Sequence, residues 1–310
     1  MKFSITIPAY KTKFLRECID SVLGQTFTDF EVIILNDASP EDVEGIVRSY
    51  ADERIRYFRN EQNVGAVKLV DNWNKCLELA KGEYIICMGD DDKLTPDCLE
   101  QYACMIEKYP HVDLFHARTI QIDESSKPIG VSQGYVEHEG VFSFMLHRLN
   151  NGTQYIGDFC YRTSRLCDTG GYYYQPLAWG ADDITSYIAS VDNGVVNLLM
   201  PTFCYRVSTL TISQSGNLDQ KLDCLSSRLQ WIQDFVESHA PLDLVEELSQ
   251  KELLSRLNSY IQKETAFQLA SGAGYKLCSL LKWIAFSKKK HPEVRLSSLV
   301  LAVIYCLRKS

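Results

Sequence analysis

Three consecutive carboxylates, Asp90-Asp91-Asp92, follow the apolar run Tyr84–Met88 and precede Lys93-Leu94-Thr95-Pro96. Adjacent carboxylates repel one another unless a cation or a set of hydrogen-bond donors neutralises them. The apolar run reads as a buried parallel strand, and ligands of open α/β sheets bind beyond the carboxyl ends of the strands. Position and chemistry therefore point to a divalent metal that holds a phosphorylated ligand. The plain alternative is an acidic turn that caps the next helix, expected over Asp97–Ile106. Two other strand ends are polar, Pro8-Ala9-Tyr10 and Asn36-Asp37-Ala38-Ser39. A nucleotide needs a partner for its base, an oxygen for its ribose and a cation for its diphosphate. Asp37 could accept from a pyrimidine N–H and Asp90 from a ribose hydroxyl, while Asp91 and its neighbours are hard oxygen ligands suited to Mg²⁺ or Mn²⁺. No glycine-rich loop follows the first strand, which counts against a dinucleotide fingerprint or a P-loop.

The elements that must position these groups alternate in type. Strands are expected at Phe3–Ile7, Phe30–Leu35, Ile55–Phe58, Tyr84–Met88 and Val112–His116. Amphipathic helices lie between them, one with Phe14, Leu15, Cys18, Ile19, Val22 and Leu23 on a single face. That alternation calls for right-handed βαβ units and a parallel sheet. From about Thr119 to Asn151 the pattern weakens, as expected of an insertion or lid. Beyond Gly216 it becomes wholly helical, over Leu218–His239, Leu242–Leu269, Tyr275–Phe286 and Val294–Leu307.

Apolar content of 45% and charged content of 23% over 310 residues are those of a globular protein, and the net charge of −8 argues against a general nucleic-acid binder. The charge is uneven: from Gly272 onward eight Lys/Arg face one acid, Glu293. The 11 Cys contain no C-x-x-C pair and fit free thiols in a reducing cytosol. Met1-Lys2 runs straight into the first strand, so no signal peptide is expected, and Leu296–Leu307 is too short to span a bilayer.

Taken in order, the motifs Ser4-Ile5-Thr6-Ile7-Pro8-Ala9-Tyr10, Ser21-Val22-Leu23-Gly24-Gln25-Thr26-Phe27, Asn36-Asp37-Ala38-Ser39, Asn63-Val64-Gly65, Asn72-Trp73-Asn74-Lys75-Cys76-Leu77 and Ala80-Lys81-Gly82-Glu83-Tyr84-Ile85 resemble the family-2 glycosyltransferases. The resemblance covers about the first two-thirds of the chain. It implies an α/β GT-A fold, a mixed and mainly parallel sheet with helices on both faces, extended by a C-terminal α-helical region. The domains expected are 1–215, with a donor half to about 118 and an acceptor half from about 119, and a helical extension over 216–310. By position Asp37 matches the base-binding Asp, and Pro8, Ala9 and Tyr10 match the base-and-ribose platform. Ser39 and Asn74 fall on the donor side. Asp91 matches the metal-binding end of a D-x-D motif, with Asp90 toward ribose or metal and Asp92 beside it. Gly89 stands where many members carry the first Asp.

Asp183, after Gly170-Gly171-Tyr172 and Trp179-Gly180, matches the general base, with Asp182 in place of the family's Glu; capping of the next helix is the alternative use. Direct displacement at an anomeric carbon needs such a carboxylate to deprotonate the acceptor hydroxyl. Trp179, Arg206 and Ser208 are candidates on the acceptor side. His111, His116, His138 and His147 read as surface or core residues. The implied partners are a nucleotide-sugar donor, uridine-linked, with Mn²⁺ or Mg²⁺, and a glycan or lipid-linked acceptor of surface-polysaccharide type. A cytoplasmic enzyme is expected. Its basic C-terminal helices suit the inner face of an anionic membrane, or packing on the catalytic part with their charges solvated. A sugar nucleotidyltransferase and a catalytically silent binding subunit of the same fold are the competing readings.

Overall fold

The computed structural model describes residues 1–150, 152–208 and 218–309. Its elements run β1 (Phe3–Ala9), α1 (Leu15–Leu23), β2 (Phe30–Asn36), α2 (Val43–Arg48), β3 (Ile55–Arg59), α3 (Leu69–Leu79), β4 (Tyr84–Cys87) and β5 (Lys93–Leu94). There follow α4 (Cys98–Lys108), β6 (Leu114–Ile122), β7 (Pro128–Val131), β8 (His138–Glu139), α5 (Val141–Leu149), β9 (Phe159–Arg162), α6 (Thr163–Asp168), α7 (Ala181–Ser190) and β10 (Val195–Arg206). The last part is helical: α8 (Leu218–Ser238), α9 (Leu244–Gly272), α10 (Leu277–Phe286) and α11 (Leu296–Lys309). The chain forms two compact units, one from residues 1–144 with 152–208, the other from 145–150 with 218–309.

In the first unit the strands form one mixed sheet in the order β3-β2-β1-β4-β9-β6-β10-β5. β1 lies between β2 and β4 and is parallel to both, so the carboxyl ends of all three share one edge. All seven residues of β2 are buried, as a strand covered on both faces requires. Helix α1 buries Leu15, Cys18, Ile19 and Val22 against this sheet's core. Pro8 does not stop β1, which continues to Ala9. Thr6 accepts from Met88 N–H, so two residues later the nitrogen of Pro8 faces the same side, where the β4 ladder has already ended. Its missing donor therefore costs no ladder bond.

The expected 119–151 insertion is largely regular. β6 continues to Ile122, β7 pairs with it, and β8 pairs with β10. Strand β9 inserts antiparallel between β4 and β6, which makes the sheet mixed. β10 runs parallel to β6, with shifts of register on both sides of Pro201. All eleven cysteines are free thiols.

The second unit has its own core, built from Leu222, Ala266, Leu269, Leu280, Val294, Leu299, Ala302 and Cys306. Within it α9 packs against α8 and α11. Asp243 caps α9 by accepting from Glu246 N–H at 2.9 Å. No helix among the described residues is long and apolar enough to cross a membrane.

Candidate functional site

Asp90 fastens β4 to β1: its Oδ2 accepts from the backbone N–H of Tyr10 and of Lys11, each at 2.7 Å. β2 is fastened to the same strand end. Asp37 N–H donates to Ala9 O at 3.0 Å, and Ser39 Oγ donates to Tyr10 O at 2.5 Å. Ser39 N–H in turn donates to Asn36 Oδ1, which tightens a turn in which Ala38 has φ 49°. Pro8-Ala9-Tyr10, Asn36–Ser39 and Asp90–Asp92 thus form one continuous rim, with Tyr10 the most exposed of its residues.

Asp37 is buried and already well supplied with donors. Oδ1 accepts from Asn60 Nδ2 at 2.8 Å and Val64 N–H at 3.0 Å, and Oδ2 accepts from Asn63 Nδ2 at 3.0 Å. The Asn63-Val64-Gly65 motif therefore wraps the carboxylate. Oδ2, with a single donor from this loop, keeps capacity for a ligand N–H.

The three adjacent carboxylates point in different directions. Asp90 is tied to β1, whereas Asp92 Oδ1 accepts from Arg206 N–H at the end of β10, at 2.9 Å. Asp91, half-buried, stands between them. Burial pushes the Asp90 carboxyl up to about 6 against the pull of the Lys11 and Tyr10 amides. Burial raises Asp91 too, opposed first by the charge of Lys11. Asp92 is pushed well above the usual carboxylate range by burial and then by Asp91. Burial thus disfavours the ionised form of all three carboxyls, a cost that a bound cation would offset. A Cβ at position 89 would lie 2.9 Å from Asp91 Oδ1 and from Asp92 Oδ2. Glycine here lets both carboxylates fold back over the backbone, and an Asp at this position would displace them. With Asp90 and Asp92 held by amides, the turn fits Mg²⁺ or Mn²⁺ bound through Asp91 and ligand phosphates, a common mode for Mg²⁺.

Arg206 is not on an acceptor face. Its side chain is fully buried behind the acidic turn, where Nε donates to Asp91 O at 2.7 Å. Its terminal nitrogens donate to Asp123 O, Ser126 Oγ and Glu17 Oε2 at 3.1, 3.0 and 3.1 Å, and the guanidinium covers the Phe14 ring. Glu17, Asn60 and Lys11 carry no signal in the sequence, because their importance comes from partners distant along the chain. Ser208 is buried and is the last described residue before 218.

Asn74 uses both ends of its amide on the backbone of Tyr172, donating to its carbonyl at 3.1 Å and accepting from its N–H at 2.8 Å. Sequence placed it with the donor; the structure shows it pinning the Gly170-Gly171-Tyr172 turn to α3. Gly171 has φ 85°, and a Cβ there would lie 2.4 Å from Asn74 Oδ1.

This turn leads to Asp182 and Asp183 in the first turn of α7. Before them Leu177 and Ala178 both adopt positive φ, 62° and 53°, and Gly180 follows at 77°. Two successive non-glycine residues in the left-handed region carry strain that the surrounding packing must hold. The short turn Pro176–Ala178 packs on α3 and on the 3₁₀ turn Ala66–Lys68, next to the loop that wraps Asp37. Asp182 Oδ1 accepts from Asp183 N–H at 3.0 Å within the first turn of the helix, whose N-cap residue is Gly180. Asp183 is buried, and the two carboxylates raise the neighbouring Tyr161 hydroxyl, though burial is the larger cause. Trp179 precedes this helix as sequence placed it. His116 is a core residue: it faces Asp158 and Asn197 and packs against Phe144 and Phe159.

Residues 4–166 match the family model described as glycosyl transferase family 2. An uncharacterized glycosyltransferase of Methanocaldococcus jannaschii is 33% identical over 116 residues, 36% of this chain and 39% of that protein. EpsH of Bacillus subtilis, also named as a glycosyltransferase, is 36% identical over 102 residues, 32% of this chain and 28% of EpsH. The matched stretch thus spans well under half the length of these relatives. The crystal structure of S. aureus TarS 1–349 in complex with UDP-GlcNAc superposes with a TM-score of 0.67 at 17% identity, covering 100% of this chain and 91% of that one. That likeness identifies the fold as GT-A with additional C-terminal helices.

Proposed function

This chain belongs to glycosyl transferase family 2, and from that membership we propose that it transfers a sugar, with inversion, from a uridine diphosphate donor to a hydroxyl of a glycan or lipid-linked acceptor. The observation that carries this reading is the clasped rim. The ends of β1, β2 and β4 are hydrogen-bonded to one another through Asp90, Ser39 and the Asp37 backbone. A nucleotide lying across such a rim meets Asp37 at one end and the acidic turn at the other. TarS, which shares the fold, has been crystallised with UDP-GlcNAc; a uridine donor is carried over from it as part of the proposal.

In this reading Asp37 Oδ2 accepts the base N–H, and the Asn60, Asn63 and Val64 donors keep the carboxylate fixed. Pro8, Ala9 and Tyr10 form the platform beneath the base and ribose. Asp90 does its work by holding Tyr10 and Lys11 in place, and Asn74 by fixing the turn at Tyr172. Asp91 would hold Mg²⁺ or Mn²⁺, which when bound stabilises the charge of the departing diphosphate. Asp183 takes the proton of the acceptor hydroxyl as the oxygen attacks the anomeric carbon, and Asp182 holds the start of α7 so that Asp183 keeps its orientation. Attack from the side opposite the leaving group gives inversion.

The acceptor reading extends to the second unit. Phe286 and Leu296 are 81% and 76% exposed, and Lys288, Lys289 and Lys290 follow Phe286 after Ser287. Apolar side chains beside a lysine cluster suit the surface of an anionic bilayer, where a lipid-linked glycan of surface-polysaccharide type would be found.

A thermal-shift screen of nucleoside diphosphates and their sugars, with and without Mn²⁺, tests the donor half. A ligand at 100 times its Kd stabilises the native state by about 2.7 kcal/mol. UDP and UDP-sugars should raise the Tm further with Mn²⁺ present, and Asp37→Ala should abolish the rise. Equal shifts from all nucleotides, or the same response in Asp37→Ala, would remove the basis for the proposal.

A further inference from the structure

The helical unit contains a cluster that the transfer chemistry does not use. Asp219 and Asp223 are one turn apart on α8, and His291 and Glu293 lie in the segment between α10 and α11. His291 is buried, 3% exposed, yet both of its ring nitrogens face carboxylates. Nδ1 is 2.9 Å from Glu293 Oε1 and 3.7 Å from Asp223 Oδ1. Nε2 is 3.2 Å from Asp219 Oδ1 but lacks the alignment of a hydrogen bond, so it is a buried polar atom without one. Trp283 stacks on the imidazole, with ring centroids 5.8 Å apart, and its Nε1–H reaches Asp219 Oδ1 at 3.4 Å.

Among the described residues, ligand atoms of Asp223, His291 and Glu293 lie within 4.8 Å of one another, the one His/Cys/Asp/Glu group that converges in this way. No Lys or Arg among the described residues pairs with Asp219, Asp223 or Glu293. Lys288 instead gives its ammonium to the His291 carbonyl at 3.0 Å. Three carboxylates with one nearby ammonium leave a charge of about −2 around the imidazole ring, which a divalent cation would balance.

We propose that Asp223, His291 and Glu293 bind one divalent transition-metal ion of the zinc type, with Asp219 orienting the imidazole. A neutral imidazole that coordinates through Nδ1 must carry its proton on Nε2, and a small rotation of the Asp219 carboxylate, whose Oδ1 is 3.2 Å away, would let it accept that N–H. This is the carboxylate–histidine–metal arrangement that fixes tautomer and ring plane. One imidazole and two carboxylates form a three-ligand set suited to zinc, with a water completing four-coordination. An imidazole ligand favours zinc, nickel or copper over Mg²⁺, so this site differs in kind from the all-oxygen turn at Asp90–Asp92.

The ion would act as a staple. Leu222, between Asp219 and Asp223, and Val294, next to Glu293, both belong to the core of the helical unit. Coordination would join the start of α8 to the segment entering α11 directly above that core, closing a long stretch of chain.

The test uses the full-length chain, stripped of metal and titrated with Zn²⁺ in excess Mg²⁺, with metal content and Tm both read. Wild type should bind one more zinc per chain than His291→Gln, Asp223→Asn or Glu293→Gln, and only wild type should gain the corresponding rise in Tm. Asp219→Asn should retain the site with affinity lowered by about 10–100-fold, as for other outer-shell partners. Asp223 is largely exposed, so Asp223→Asn tests ligation in a folded chain. Cobalt in place of zinc should give visible absorption in wild type that Asp223→Asn lacks. Equal zinc content and equal Tm shifts in wild type and Asp223→Asn would overturn the proposal.

Discussion

Replacing Gly171 with Ala should destabilise the protein mainly by evicting Asn74. The new Cβ would lie 2.4 Å from Asn74 Oδ1, and the residue would keep a φ of 85°. A left-handed conformation costs a non-glycine residue about 1–2 kcal/mol. Displacing Asn74 breaks its two hydrogen bonds with the Tyr172 backbone, each worth roughly 0.5–1.5 kcal/mol. Gly171→Ala should therefore cost about 2–5 kcal/mol, and Asn74→Ala alone about 1–3 kcal/mol. Once Asn74 is truncated the Cβ no longer meets an amide, so the double variant should cost no more than Gly171→Ala. That leaves a coupling of about 1–3 kcal/mol between the two sites, well above the few tenths expected of independent ones. Urea unfolding of the wild type, both single variants and the double variant measures it. Additive losses would show that Gly171 is constrained by its backbone alone and that Asn74 does not hold this turn.

The acidic turn has a pH signature. The folded carboxyl of Asp90 titrates near 6, above its ordinary value of 3.8. The native state therefore holds a proton that the unfolded chain has released between about pH 4 and 6, and stability must fall as pH rises through that window. Wild-type stability relative to Asp90→Asn, without metal, should decline at a slope of at most about 1.4 kcal/mol per pH unit. A flat difference from pH 4 to 6 would contradict the burial of Asp90. Arg206→Met should weaken UDP binding without touching the ligand, because the Asp91 carbonyl loses the guanidinium behind it, while Asp92 keeps its bond from the backbone N–H of residue 206. Leaving buried acceptors unpaired should also cost about 1–3 kcal/mol in urea unfolding, with little added by the solvent-screened Glu17 pair. Wild-type stability and affinity in this variant would refute that role.

Much of the first half was legible in the sequence because each signal was local. Continuous apolar runs marked β1, β2 and β4, the polar ends marked the rim, and period-3.6 patterns placed α8–α11 within a few residues. What escaped was non-local. Phe159–Arg162 is short and surrounded by polar residues, so nothing marked it as a strand until β4 and β6 supplied its partners. β7 and β8 become strands only by pairing with β6 and β10. Pro8 looked like a strand end, since the sequence does not reveal that its nitrogen faces the side where β4 has already ended. Side-chain direction was the other blind spot. Position in a motif suggests that Arg206 and Asn74 face a ligand, yet one backs the acidic turn and the other pins Tyr172. The departure at Gly89 becomes intelligible only when two carboxylates are seen to close over it.

If Asp183 removes the acceptor proton while the donor is held elsewhere, its loss must separate turnover from donor binding. The most direct measurement is UDP release from a UDP-sugar with Mn²⁺, by transfer or hydrolysis, in wild type and Asp183→Asn, alongside UDP affinity in both. Loss of a general base should lower turnover by about 10²–10⁴-fold and leave UDP affinity unchanged. Undiminished turnover in Asp183→Asn would contradict the assignment, and so would a loss of turnover explained wholly by weaker UDP binding.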